Sequence, residues 1–317
     1  MSEFYYGGQA VIEGVMMRGQ RRAAIAVRNP EGEIVVHEEP LPEKVYRSRW
    51  SRMPFLRGLV LLWDALVLGT KALMWSADVA MGEDEEDAQG FSGPMAWGTV
   101  AISLIVGLAI FFLLPTAVGH LAETFLGLTK YASAVLEGVF RLVLFIIYLV
   151  LIAQSEEIRR VFIYHGAEHK TINAYEAGET MTPENVAKYS TRHTRCGTSF
   201  LLFVVLISII LFIPLQFDIW WLRLLSRIVL IPVVAGISYE VLRFSTRYQE
   251  HFLMKVIIWP GLAMQKLTTR EPTLDMLEVA IQALAPVLAA DGLEVPIPAE
   301  SAPATSPAGT PAPVPAQ

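Results

Sequence analysis

Gly98-Thr-Val-Ala-Ile-Ser-Leu-Ile-Val-Gly-Leu-Ala-Ile-Phe-Phe-Leu-Leu-Pro-Thr-Ala-Val118 is an apolar run without an ionisable side chain. As a helix, about 20 such residues match the roughly 30 Å hydrocarbon core of a bilayer. Residues 135–153, 200–216 and 222–242 are three further predominantly apolar runs, of which the first and last carry a few ionisable side chains. The third is short and ends near Pro214, and the fourth carries Pro232 and Gly236 inside it. Composition agrees: hydrophobic residues make up 53% and charged residues 18%, with mean hydropathy +0.44. Two ordinary soluble domains would be far less apolar. The net charge of -6 gives no basic excess to point to nucleic acid.

Basic residues set the expected orientation. They crowd residues 1–55, residues 154–199 and the stretch after the fourth run, whereas 119–134 and 217–221 hold only Lys130. Four spans with both termini inside place every basic region on the cytoplasmic side. The first residues lack the basic region and apolar core of a signal peptide, so insertion is expected to follow an internal segment.

Residues 56–75 are nearly long enough to span, but Arg57, Asp64 and Lys71 recur every seven residues. On a helix that spacing makes one polar stripe. The reading is therefore an interfacial helix, or one packed with its charges inward. Before it, residues 9–17 read as one strand, and 23–29 with 33–38 as a hairpin around Pro30-Glu31-Gly32. Glu13 and Arg18 beside the first strand read as ion-pairing or surface groups, with a site role as the alternative. Residues 273–290 have helical spacing, stop at Asp291-Gly292, and have Pro286 in a doubtful last turn. The Ala/Pro/Ser/Thr-rich tail cannot bury enough surface to order itself.

The expected organisation follows. Residues 1–55 form a cytoplasmic β subdomain, 56–75 the amphipathic helix and 76–97 an acidic linker around Glu83-Asp84-Glu85-Glu86-Asp87. Residues 98–243 form a four-helix transmembrane region with a cytoplasmic His/Cys segment at 154–199. Residues 244–293 are C-terminal helices at the cytoplasmic face, and 294–317 a disordered tail. The fold class is a mainly α membrane protein with interfacial helices and a small N-terminal β subdomain.

The chemistry concentrates in Tyr164-His-Gly-Ala-Glu-His-Lys170 and His193-Thr-Arg-Cys196, which hold three of the 6 histidines and the single cysteine. Residues 155–177 read as a helix continuing out of the second span. On it His165 and His169 share a face, as does Glu176 eleven residues on. Two imidazoles at i and i+4 can turn one nitrogen each toward a single cation, and His193 and Cys196 would add two ligands. A set of three histidines and a cysteine suits zinc, while iron, nickel or cobalt also accept imidazole. His165-Gly-Ala-Glu168-His169 also fits the short His-x-x-Glu-His pattern in which the glutamate is a base. The bland readings are interfacial histidines, a loop His193 and a buried Cys196. Glu240 lies near the cytoplasmic end of the last run, either as a functional carboxylate or as a partner for Arg243.

Gly7–Gly19, His165–Thr171, His193–Ser199, Pro232–Glu240 and Gln265–Pro272 resemble, in matching order, the signature blocks of YqhQ-like bacterial membrane proteins. That family is a domain of unknown function labelled a predicted metal-dependent enzyme. The resemblance covers about residue 4 to 290 and leaves out the acidic linker and the tail. It implies a bacterial inner-membrane protein and nominates His165, Glu168, His169, His193, Cys196 and Glu240, and more loosely Glu13 and Arg18. It supplies no reaction or substrate.

The leading expectation is a cytoplasmic-face divalent metal site, with zinc best suited, in a multi-pass protein in contact with the lipid bilayer. His165, His169, His193 and Cys196 are the expected ligands, and Glu168 or Glu176 the base if the protein is a hydrolase. A closed four-ligand site would instead make it a metal-stapled scaffold for a partner such as translation or membrane-insertion machinery. A transporter is the weakest reading, because apart from Glu240 and terminal arginines the runs read as almost wholly apolar.

Overall fold

A computed structural model describes residues 6–42, 53–82 and 94–294. Residues 1–5, the basic stretch 44–52, the acidic cluster 83–87 and the tail from 295 lie outside the described residues. The chain is mainly helical, with one small antiparallel sheet of four strands in the order β1-β2-β3-β4.

The strands are β1 (Gly7–Val11), β2 (Gly14–Arg18), β3 (Arg22–Arg28) and β4 (Ile34–Pro40). The single strand expected over 9–17 is thus two strands. Val11 faces Gly14, so the chain reverses across Ile12 and Glu13, and Glu13 takes a φ of 51° to do so. Within the run only Glu13-Gly14 interrupts the apolar residues, and neither residue of the Ile12-Glu13 turn is a glycine.

The sheet is buried on both faces, which explains why β2 and β3 carry continuous rather than alternating apolar residues. One face packs Val11, Met16, Ile25 and Val27 against Leu68, Ala72, Trp75 and Val79. These belong to α1 (56–80), helical over Leu56–Trp63 and Gly69–Ala80 with a π turn at Asp64–Leu68 between. The other face packs Val15, Met17, Ala24 and Ala26 against two helices that come much later in the chain.

The three charges of the α1 stripe each bind a different element. Arg57 holds Glu240 through Nε (2.6 Å) and a second nitrogen. Asp64 pairs with Arg18 at 3.0 Å, and Lys71 with Glu39 at 3.1 Å. Helix α1 is therefore a strut between the sheet and the helical bundle. Glu240 also accepts the backbone N–H of Phe55 at 2.9 Å, so its partners are Arg57 and Phe55.

The bundle begins with α2 (94–126), which has a π turn at Ala109–Leu113, and α3 (Lys130–Ile152). Then come α4 (Glu156–Glu176), the short α5 (Pro183–Val186) and α6 (Gly197–Phe212). Helices α7 (Trp220–Val229) and α8 (Ile231–Arg247) meet at a 45° bend, as Pro232 at the start of α8 suggests. Helices α9 (Phe252–Thr268) and α10 (Leu274–Ala290) complete the chain.

Two helices are long and apolar enough to cross a membrane, Trp97–Leu126 and Lys130–Ile152, and the bent α7–α8 pair makes a third if it counts as one span. Helix α6, read in the sequence as a span, is apolar but falls short of that length. Helix α4 does not continue out of α3. The chain breaks at Ala153–Ser155, and Ser155 takes extended angles at the start of α4. Helix α10 runs through Pro286 to Ala290, because packing of Val287 and Leu288 into the sheet-facing core outweighs the one backbone bond that proline removes.

The bundle is less apolar than its sequence suggests. Glu137 and Arg141, one turn apart on α3, and Arg227 of α7 are each at most 3% exposed. Glu137 accepts from Arg141 Nη2 (2.7 Å), Arg227 Nε (3.1 Å) and Thr116 Oγ1 (3.1 Å). Arg141 also donates to Ser208 Oγ and to the Phe111 carbonyl, within the π turn of α2, where the looser ladder leaves an oxygen open. Arg227 lies over the Phe212 ring at 4.5 Å. Helices α2, α3 and α7 thus meet on one carboxylate, and α6 joins them through the two arginines.

Removing that carboxylate leaves two buried guanidinium groups facing each other. Glu137→Gln should destabilise the folded protein by about 3–5 kcal/mol, read as a lowered thermal midpoint in detergent micelles. Lys130→Gln, at the exposed pair with Asp218, should change it by less than about 1 kcal/mol.

Candidate metal centre

Helix α4 carries the site and is held on every side. Tyr164, Ala167, Ile172 and Ala174 enter the core beneath the sheet together with α10. Its opposite face is lined by carbonyl groups of the loop that follows α5. Lys170 Nζ donates to Ala187 O (2.6 Å), and Asn173 Nδ2 to Ser190 O (2.8 Å) and Arg192 O (3.1 Å). These bonds fold the loop back along α4, so that His193 and Cys196 return to the level of His165 and His169.

The third wall is the segment after α9. Arg270 N–H donates to Phe162 O at 2.9 Å, and the Arg270 carbonyl lies 2.0 Å from where a Cβ on Gly166 would stand. That close approach is why a glycine separates His165 from Ala167. It also delivers the Thr268 carbonyl to the site.

Both imidazoles are fixed through Nδ1. His165 Nδ1 bonds Thr268 O at 2.8 Å and His169 Nδ1 bonds Thr191 O at 2.6 Å. Since a carbonyl can only accept, each Nδ1 carries its proton, and each Nε2 is the nitrogen turned into the site. His165 Nε2 lies 3.2 Å from Cys196 Sγ. His169 Nε2 is buried and has no hydrogen-bond partner among the described residues. His165, His169 and Cys196 each offer one ligand atom, all within 4.8 Å of one another. An orphaned buried nitrogen beside a second imidazole and a thiol is the donor set a divalent cation would satisfy.

Cys196 is the N-cap of α6, its sulfur accepting from Thr198 N at 3.4 Å. Burial pushes its thiol pKa up, but His165 and His169 outweigh burial and hold it well below the ordinary value. The helix N-terminus also favours a thiolate. Burial pulls the His165 imidazole down, yet the adjoining Cys196 sulfur and Glu168 raise it to about 9. A cation entering this set would displace the proton on His165 Nε2.

The remaining sequence-derived residues take distinct places. Glu168 turns Oε2 toward both rings, 3.9 Å from His165 Nε2 and 4.0 Å from His169 Nε2, and its Oε1 accepts Gly8 N–H of β1 at 3.0 Å. His193 stands beside the three-residue set. Its ring is 5.8 Å from that of His169, and its Nε2 is 3.5 Å from Glu176. Burial, aided by His169, lowers its pKa to about 4. Glu176 faces His193 and Arg195, so the shared helix face expected for it with His165 and His169 leads to the neighbouring ring. Glu13 pairs with Arg160, Arg18 with Asp64 and Glu240 with Arg57; all three lie in ion pairs outside the cluster.

Sequence reasoning missed Gln265. This fully buried side chain accepts His193 N–H (2.9 Å) and donates to His193 O (2.8 Å) and Ser199 Oγ (2.9 Å). A glutamine inside an apolar helical stretch was the available signal. Lys170, also missed, is 3% exposed and pairs with Glu271 as well as the loop.

A family profile described as "Protein of unknown function (DUF1385)" matches residues 53–290. The "Uncharacterized protein YqhQ" of Bacillus subtilis (strain 168) is 35% identical over 298 residues, covering 91% of this chain and 93% of its own. No solved structure matches.

The Arg270 crossing gives a direct test. Gly166→Ala should lower stability by about 1–3 kcal/mol and expose residues 268–272 to limited proteolysis. Gly197→Ala, whose added Cβ meets nothing within 4 Å, should do neither.

Proposed function

The chain belongs to the DUF1385 family, whose function is unknown, and from the geometry of its His/Cys cluster we propose that it is a membrane-embedded, metal-dependent enzyme of the hydrolase class. The observation that carries this reading is the pair of carbonyl-fixed imidazoles, whose Nε2 atoms converge with Cys196 Sγ while that of His169 is buried with no hydrogen-bond partner among the described residues.

The proposed ligands are His165 Nε2, His169 Nε2 and Cys196 Sγ, with zinc the cation best matched to two imidazoles and a thiolate. When bound in such a three-ligand site, the cation supplies Lewis acidity and brings the pKa of water toward neutrality. The chain's own residues do the rest. Thr268 and Thr191 keep the two rings in one tautomer. Gly8 holds Glu168 by one oxygen and leaves the other, 3.9 and 4.0 Å from the two ring nitrogens, to take a proton. Glu176 remains with Arg195 and His193, so Glu168 is the base of choice. His193, clamped by Gln265, fixes the loop that delivers Cys196.

The proposed setting is a bacterial inner membrane. Helices Trp97–Leu126 and Lys130–Ile152, the short α6 and the bent α7–α8 pair would make four crossings, with the sheet, α4, α10 and both termini cytoplasmic. The basic residues of 154–199 and 243–270 support that orientation. A second reading is favoured by the small adjustment Glu168 would need to ligate. As a fourth ligand it would close the site and make the protein a metal-stapled scaffold for a partner.

Metal content of the purified protein, never exposed to chelator, tests the reading and separates the alternatives. One metal per chain is expected, lost in His165→Ala, His169→Ala and Cys196→Ala and retained in His193→Ala. In the enzyme reading Glu168→Gln still binds one metal per chain, its affinity lowered by at most about 10–100-fold. Loss of the metal in Glu168→Gln as complete as in the ligand variants supports the scaffold, and absence of metal from the parent protein contradicts both.

A further inference from the structure

The corner where α8 gives way to α9 has a surface that neither the sheet nor the His/Cys cluster uses. Phe244, Tyr248, Phe252, Leu253, Val256 and Trp259 are each between 48% and 74% exposed. On α9 the last four follow at i, i+1, i+4 and i+7, one continuous outward face. Exposed Arg243, Arg247 and Lys255 flank these aromatic and aliphatic groups; Glu250 pairs with Lys255 and Glu240 lies near Arg243. Arg247 lies over the Tyr248 ring at 5.8 Å.

An open groove of about 350 Å³ lies at this corner, and Ile258, Trp259, Leu262, Lys255, Glu250 and Thr194 are among the residues that line it. Thr194 sits between His193 and Cys196. The opposite end of α9 holds the cluster: Gln265 clamps His193, and the Thr268 carbonyl fixes His165.

We propose that this corner binds the headgroup of an anionic phospholipid of the surrounding bilayer. Tyr and Trp beside Arg and Lys are the residue types that settle at the boundary between headgroups and acyl chains. A cluster of cations at that depth selects a negative headgroup. The phosphate is held among Arg243, Arg247 and Lys255, and an acyl chain runs along Phe252, Val256 and Trp259. The binding rests on the membrane setting proposed above and is independent of the cation at the cluster. Through α9 it places a lipid headgroup next to the loop that carries Cys196.

The test uses the full chain in nanodiscs made with chain-brominated phosphatidylglycerol or chain-brominated phosphatidylcholine, with metal content measured on the same samples. The Trp259 signal is taken as the difference from Trp259→Phe. Phosphatidylglycerol should quench Trp259 at a mole fraction lower by on the order of tenfold. The triple variant Arg243→Gln/Arg247→Gln/Lys255→Gln should lose that preference with its helix content unchanged. Equal quenching by the two lipids overturns the proposal. So does a preference that survives the triple variant, and so does absence of quenching, which would mean that protein or a second copy covers the face. A metal-free sample that retains the lipid preference overturns the metal reading alone.

Discussion

Two backbone carbonyls, Thr191 O and Thr268 O, meet the two imidazoles of one helix from 22 and 103 residues further along the chain. Everything else in the site follows from this constraint. Because each Nδ1 is committed to a carbonyl, each Nε2 must turn toward Cys196 and Glu168. The carbonyls are in place only because Lys170 and Asn173 fold one segment onto α4 and the Gly166 crossing admits the other. The α4 residues that face away from the cluster lie in the core beneath the sheet. The cluster therefore sits at the seam between the sheet and the helical bundle, where movement of either changes its geometry.

The same seam is tied by charge. Helix α1 contacts the sheet through Leu68, Ala72, Trp75 and Val79, and reaches the bundle through Arg57 and Glu240. Phe55 supports the latter contact with a φ of 72° and a ring seated where a Cβ on Gly236 would stand. Backbone strain at a non-glycine residue persists only where its surroundings enforce it. Deeper in the bundle, Glu137 holds Arg141 and Arg227 in a setting where an isolated charge would be costly. It joins α3 to α7 and, through Thr116 and Ser208, to α2 and α6.

Local periodicity made part of this legible. The i, i+4 histidines, the hairpin ending in β4, the α10 stop at Asp291 and the charge stripe of α1 all depend on residues close in sequence. What escaped depends on distant contacts or on small departures from regular geometry. The β1–β2 reversal has no two-residue glycine turn to announce it. The π turns of α1 and α2 are invisible to a 3.6-residue period. Glu240 lay next to Arg243 in sequence, but a partner 183 residues away took it. Glu137 and Arg141 were hidden by the apolar average of their run, although their i, i+4 spacing was open to view. Sequence spacing makes His193 a fourth ligand and Glu176 a candidate base, and only the loop path shows that they face each other beside the three-residue set.

The account turns on whether one sulfur and two imidazole nitrogens share a cation. X-ray absorption at the metal edge of the protein as purified measures that shell directly. One sulfur at about 2.3 Å and nitrogen or oxygen ligands at about 2.0–2.1 Å are expected, with imidazole scattering beyond them. A metal shell without sulfur, or one unchanged in the Cys196→Ser protein, would contradict it.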